Sequence, residues 1–137
     1  MATLHLEIIT PAAKVYEGEA EFVELPGAEG IMGVFPQHEA LVTELQAGVL
    51  KITVKGKVEV LAIGEGFAEI TGTSIGVLTD GAVHEKEIDE KVAEAAVKRA
   101  EELLKSNTLQ GEELEATQAS LARALAQIKV KRRHHGG

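Results

Sequence analysis

The chain has 137 residues, of which 45% are hydrophobic and only 3% aromatic, with no tryptophan. It can therefore bury one domain with an aliphatic core, or one compact domain and a small appendage. The absence of cysteine excludes disulfides, thiolate metal sites and thiol catalysis. The formal net charge of −8 is unevenly spread: residues 1–85 hold 13 acids against 4 bases and no arginine, while residues 86–137 hold 9 acids against 10 bases. Phosphate contacts need Lys and Arg, so the composition of the first part argues against nucleic-acid binding, and the contrast points to two units of different kind.

The opening, Met1 to Ile9, alternates polar and apolar residues and has no basic start, unlike a signal peptide. No apolar run approaches the ~18 residues of a membrane span, so membrane association goes through a surface or another protein. Leu4, Leu6 and Ile8 alternate with His5 and Glu7, the period of a half-buried strand. A short segment at Phe22 to Leu25 follows, then a loop-rich stretch punctuated by Gly27, Gly30 and Gly33 up to Pro36. Val49 to Val54 and Val58 to Ile63 flank Lys55-Gly56-Lys57, which predicts a hairpin with a three-residue loop. Phe67 to Ile70 and Ile75 to Leu78 complete a set of about eight to ten short strands, the pattern of a β-sandwich or flattened barrel.

After residue 85 the period becomes helical. Ile88, Val92, Ala96, Ala100 and Leu103 form one stripe, with Asp89 placed to cap the first turn. Ser106 to Gly111 reads as a loop. Leu114, Gln118, Leu121, Leu125 and Ile128 form a second stripe, and the surrounding alanines favour helix. Two helices of ~16–18 residues so connected make an antiparallel hairpin. Its alanine contacts are small, so it must lean on the sandwich or on a partner. The tail from Lys129 to Gly137 is basic, ends in His134-His135-Gly136-Gly137, and is expected to fray. The expected fold is thus α+β and mainly β: a sandwich over 1–85, then a helical hairpin and basic tail over 86–137.

Chemistry is sparse. There is no GxSxG, HExxH or Walker A sequence. The glycines of 27–33 lack the lysine and the following helix of a phosphate loop, and tight turns explain them. His38 sits in a loop after Pro36, where a solvated or hydrogen-bonded role is the ordinary one. No spacing brings His5, His38 or His84 together with carboxylates as a metal site. Lys98-Arg99, Arg123 and Lys129 to Arg133 give the hairpin a basic side, either a solvated face with pairs such as Glu94–Lys98 or a docking surface for an acidic partner or a nucleotide phosphate.

The segment Gly30-Ile31-Met32-Gly33-Val34-Phe35-Pro36-Gln37-His38-Glu39-Ala40-Leu41 resembles the G-x-x-G-[IV]-x-P-x-H-x-x-[LI] signature of the epsilon subunits of F-type ATP synthases. It continues as Val42-Thr43-Glu44-Leu45-Gln46-Ala47-Gly48-Val49-Leu50, similar to that family's LxTxLxxGxL run. Leu6 to Pro11, Val15 to Gly18, Ile88 to Ala93 and Leu121 to Val130 resemble its first strands and its helices, so the likeness covers the whole chain.

The resemblance implies a non-catalytic rotor subunit whose sandwich docks on the gamma subunit and on the membrane c-ring. It implies a mobile hairpin that extends toward the alpha and beta subunits and inhibits ATP hydrolysis, and a peripheral place on the cytoplasmic side of the cell inner membrane. It puts Glu29, Ile31 and His38 at the ring, with His38 close to the other two. It places ATP contacts, in relatives that bind ATP, at Asp89, Arg99 and Arg123. Here Val92 and Gln127 stand where that motif has arginines. Two missing charge-assisted contacts of roughly 1.5–3 kcal/mol each weaken such a site on the order of a hundredfold or more. A free-standing regulatory β-sandwich that binds a small molecule is the alternative from a different class.

Overall fold

The computed structural model describes residues 2–135, with side chains through residue 132. Ten strands precede the helices: β1 (Leu4–Ile9), β2 (Lys14–Ala20), β3 (Phe22–Gly27), β4 (Gly30–Val34), β5 (Leu41–Leu45), β6 (Gly48–Val54), β7 (Lys57–Ile63), β8 (Gly66–Ile70), β9 (Ser74–Thr79) and β10 (Ala82–His84). A 3-10 turn at Glu85–Glu87 leads into α1 (Glu90–Lys105) and α2 (Gly111–His135). The strands form one sheet in the order β10-β7-β6-β3-β5-β8-β9-β1-β2, with β4 paired to β3. Pairing is antiparallel except for β1 beside β9. The expected mainly β sandwich followed by two helices is the fold observed.

The sheet closes over an aliphatic core. Leu4, Leu6 and Ile8 point inward and share one cluster with Val23, Leu25, Leu50, Ile52, Leu61, Ile63, Ile70, Ile75 and Val77, all 0–1% exposed. With so few aromatics in the chain, branched aliphatic side chains fill this volume, and they suit the pleated surface of a strand.

Three local expectations change. The stretch 27–36 is not all loop, because Gly30–Val34 is a strand hydrogen-bonded to β3 in the register Leu25↔Met32. The β6–β7 hairpin turns on two residues rather than three: Val54 pairs with Lys57, and Lys55 and Gly56 adopt φ of 49° and 78°. That is the left-handed pair of a type I′ turn, which matches strand twist. The chain also does not fray at Lys129, since α2 continues to His135. Val130, 1% exposed, packs with Ala62, Ile88 and Ala126 and holds this last part of the helix down. Gly136 and Gly137, and the side chains of Arg133, His134 and His135, lie outside the described residues.

Candidate functional site

The inner sides of the strands make the core, so function falls to the outer faces, and these differ. On β6, β7 and β10 the outward row is Val49↔Ala62↔Val83. Ala126 and Val130 of α2, with Ile88, cover it as a second apolar cluster. This explains why Val60-Leu61-Ala62-Ile63 is an unbroken apolar run: β7 is buried on both sides here.

On β5, β8, β9 and β1 the matching outward row is Glu44↔Phe67↔Leu78↔Ile9. Among the described residues nothing covers it: Phe67 is 52% and Leu78 57% exposed. Val42, on the same side of β5, is also open to solvent. Neighbouring carboxylates Glu44, Glu65, Glu69 and Asp80 are exposed or half-exposed. Phe67 and Glu44 line one shallow hollow with Glu65 and Asp80. Large exposed apolar side chains ringed by acids are the anatomy of a protein-docking surface. The hydrophobic pattern alone could not reveal this patch, because outward Phe67 and Leu78 look like inward residues until the register is known.

Glu29 and Ile31 lie together in and beside the β3–β4 turn, and Ile31 is 76% exposed. They line an open cavity of about 440 Å3 with Met32, Val42, Thr43 and Glu44. His38 is not beside them. It follows the far end of β4, roughly 13 Å of extended chain away, next to the turn at 71–74, where the Gln37 amide donates to Gly72 O at 2.7 Å. The His38 ring hydrogen-bonds through Nδ1 to the Glu39 carbonyl at 2.8 Å.

On the hairpin, Asp89 is the helix cap the sequence predicts: its Oδ1 accepts from the amides of Lys91 and Val92 at 3.0 and 3.2 Å. Arg99 lines a cavity of about 200 Å3 between the helices with Ala96, Leu103, Thr117 and Ser120. Arg123 instead reaches the sandwich, donating from Nη1 to Asp80 Oδ2 at 3.0 Å, in a different cavity that Gln127 also lines. Arg99 and Arg123 thus line two separate cavities with no residue in common, while the Asp89 carboxylate serves as a helix cap. The apolar stripes hold in part: Ile88, Ala100 and Ile128 are buried as expected, whereas Val92, Leu103 and Leu125 are exposed and Ala93, Ala124, Ala126 and Val130 are buried beside the expected stripes. Glu94 pairs with Arg132 across the hairpin at 3.2 Å.

Strand pairing also assembles a cluster that chain spacing hides. β1 and β2 align His5 with Glu19 and Glu7 with Glu17. The His5 ring donates from Nδ1 to Glu19 at 2.9 Å and lies through Nε2 at 3.1 Å from Glu17 and 3.3 Å from Glu7. Lys14 Nζ sits 3.0 Å from Glu17. Hydrogen bonding to Glu19, then Glu7, raises the His5 imidazole above its ordinary pKa, and His5 in turn lowers Glu19. Lys14 lowers Glu17. Among the described residues His5, Glu7 and Glu17 are the set that could offer three metal ligands, but Lys14 and the His5 ring already pair with these carboxylates.

Comparison with known proteins matches both units. The family model described as ATP synthase, Delta/Epsilon chain, beta-sandwich domain matches residues 3–85. The model described as ATP synthase, Delta/Epsilon chain, long alpha-helix domain matches residues 86–132. A protein of Laribacter hongkongensis named ATP synthase epsilon chain is 42% identical, over 98% of this chain and 100% of that protein. One of Ruminiclostridium cellulolyticum with the same name is 40% identical, over 97% of this chain and 98% of its own. In fold, the chain resembles one in the Euglena gracilis mitochondrial ATP synthase (OSCP/F1/c-ring) with a TM-score of 0.74 at 21% identity, covering 100% of this chain and 83% of that one.

Proposed function

The chain belongs to the ATP synthase delta/epsilon chain family, a non-catalytic subunit of that complex, and on this premise we propose that it is the central-stalk subunit that couples the catalytic head to the membrane c-ring. The observation that carries the proposal is the uncovered outer face of β5, β8, β9 and β1. Phe67, Leu78 and Val42 are large, exposed and ringed by acids, which suits a permanent protein partner rather than solvent. The gamma subunit docks there. Glu29 and Ile31, at the β3–β4 turn, meet the polar loops of the c-ring, and His38 lies at the opposite end of β4. The chain is held peripherally at the cytoplasmic side of the cell inner membrane through these contacts.

The hairpin of residues 86–137 is the regulatory part. Folded down, it covers Val49, Ala62 and Val83. Extended, it carries Arg123, Lys129, Lys131, Arg132 and Arg133 toward acidic segments of the alpha and beta subunits and inhibits ATP hydrolysis, with opposite charges steering the approach. Direct ATP binding through Asp89, Arg99 and Arg123 is weak, because Val92 and Gln127 supply no charge and Arg123 is engaged by Asp80.

Co-purification tests the whole. The chain should come down in stoichiometric amount with gamma, alpha and beta subunits, and recovery only as a free monomer from lysate holding intact ATP synthase overturns the assignment. A cross-linker on Ile31→Cys should capture a c-ring loop. Capture of head subunits alone would remove Glu29 and Ile31 from the ring contact.

A further inference from the structure

The loops that receive Arg123 are built for it. Gly64 and Glu65 join β7 to β8, and Asp80 and Gly81 join β9 to β10. Thr79, buried at 5%, places its hydroxyl 2.9 Å from Gly64 O and 3.1 Å from Gly81 O. The Gly64 amide donates to Gly81 O at 2.8 Å, and the Asp80 amide donates to Glu65 O at 3.0 Å. The two loops are therefore stapled together before any helix arrives, and the Asp80 carboxylate is aimed from a fixed backbone.

Both flanking glycines keep space open at this point. A Cβ on Gly64 would lie 1.7 Å from Asp80 Oδ1 and 3.0 Å from Arg123 Cγ, and one on Gly81 would lie 2.9 Å from Arg123 Cδ. Neither glycine has a left-handed φ, so space rather than backbone conformation favours glycine here. Into this notch α2 sends Arg123, 3.0 Å from Asp80. The Arg132 pairs with Glu90 and Glu94 lie within the hairpin and so travel with it. The Arg123 pair joins the hairpin to the sandwich.

We propose that Asp80, set between Gly64 and Gly81, is a preformed receptor for Arg123, an ionic clasp that holds the hairpin down and occupies the arginine that an anionic ligand would otherwise take. The proposal rests on the hairpin being mobile. An extended hairpin cannot keep Arg123 at Asp80, and a phosphate on Arg123 competes with the carboxylate for the same cation. The pair is about one-third exposed on each side, so its hold is modest and salt-sensitive, a strength that suits a reversible contact.

The test uses the full chain, which has no cysteine to interfere with labelling. Spin labels on Val58→Cys and Glu115→Cys report the sandwich-to-hairpin distance. Asp80→Asn should raise the undocked fraction about two- to fivefold at low salt and remove most of its salt dependence. Asp80→Asn should add nothing on top of Arg123→Gln, as a double-mutant cycle requires of partners. Gly81→Ala should undock the hairpin with no change of charge. The clasp is refuted if Asp80→Asn and Gly81→Ala both leave the distance distribution unchanged, or if Asp80→Asn acts equally with and without Arg123. Undocking by Asp80→Asn in the free chain, combined with an unchanged ATPase rate when residues 86–137 are removed from the complex, would keep the clasp and overturn the inhibitory role.

Discussion

The sandwich has two apolar outer faces, and among the described residues the chain covers only one of them. Across β6, β7 and β10 the row Val49, Ala62 and Val83 lies under α2. Across β5, β8 and β9 the patch of Val42, Phe67 and Leu78 stands open. The covered face carries small aliphatic groups and is met largely by alanine and valine, so the area buried is modest and hold follows area. The open face carries an aromatic ring and a leucine, the larger side chains that anchor lasting interfaces. A modest internal contact on one side and an open apolar face on the other support the proposed role of a part that stays fixed to one partner while its own hairpin comes and goes.

The covered face breaks most readily at Val130. Val130→Asp would bury an unpaired charge among Ala62, Ile88 and Ala126, costing about 3 kcal/mol or more. The hairpin should undock and lose helical circular dichroism, while strand signals of the core persist. Simultaneous collapse of the strands would show that the hairpin and sandwich are one cooperative unit. The open face should behave in the opposite way. Phe67→Ser with Leu78→Ser should change urea stability by no more than about 0.5 kcal/mol, yet weaken gamma-subunit binding by about 2 kcal/mol, roughly thirtyfold, measured by titration calorimetry.

A smaller effect sharpens the picture of the hairpin. Asp89→Ala removes the cap over Lys91 and Val92 and should cost about 0.5–2 kcal/mol, seen as faster amide exchange in the first turn of α1 with β-strand exchange unchanged. The smallest concerns the edge strand β2. The His5 pKa is raised in the folded state, so what His5 contributes is fully present below its unfolded pKa and is lost as pH rises through the raised value. The lowered Glu17 and Glu19 work the other way, and their contribution is lost as pH falls through their own values. The melting-temperature gap between the natural chain and His5→Ala should therefore be widest in mildly acidic solution and close at alkaline pH. A gap that grows with pH would contradict the ion-pair cluster.

Much of this fold is legible in the sequence, for identifiable reasons. Leu4, Leu6 and Ile8 alternate cleanly because one side of β1 is wet. Asp89 is a readable cap because its chemistry is local. The helix faces are not legible to one position: Ala100 is buried as its spacing predicts, but Val92, Leu103 and Leu125 outrank alanine in hydrophobicity and are exposed, while Ala93 and Ala124 are the ones that fit the close approach. The functional surface is legible in part. Glu29 stands at the turn that the glycines mark, but Ile31 belongs to β4, and His38 separates from both because β4 is extended. The open patch, the His5 cluster and the Asp80 receptor come from strand register and loop juxtaposition between residues 11 to 43 apart, which local patterns do not encode.

The contrast between the faces can be measured in one labelling series, since a chain without cysteine gives no background. Phe67→Cys, Leu78→Cys and Val49→Cys are each reacted with a soluble thiol reagent, alone and with the gamma subunit. Labels at 67 and 78 should react quickly alone and slow at least tenfold in the complex, while the label at 49 should react slowly in both. Unchanged rates at 67 and 78 in the complex, or protection that appears at 49 instead, would contradict the assignment of the open face to the partner.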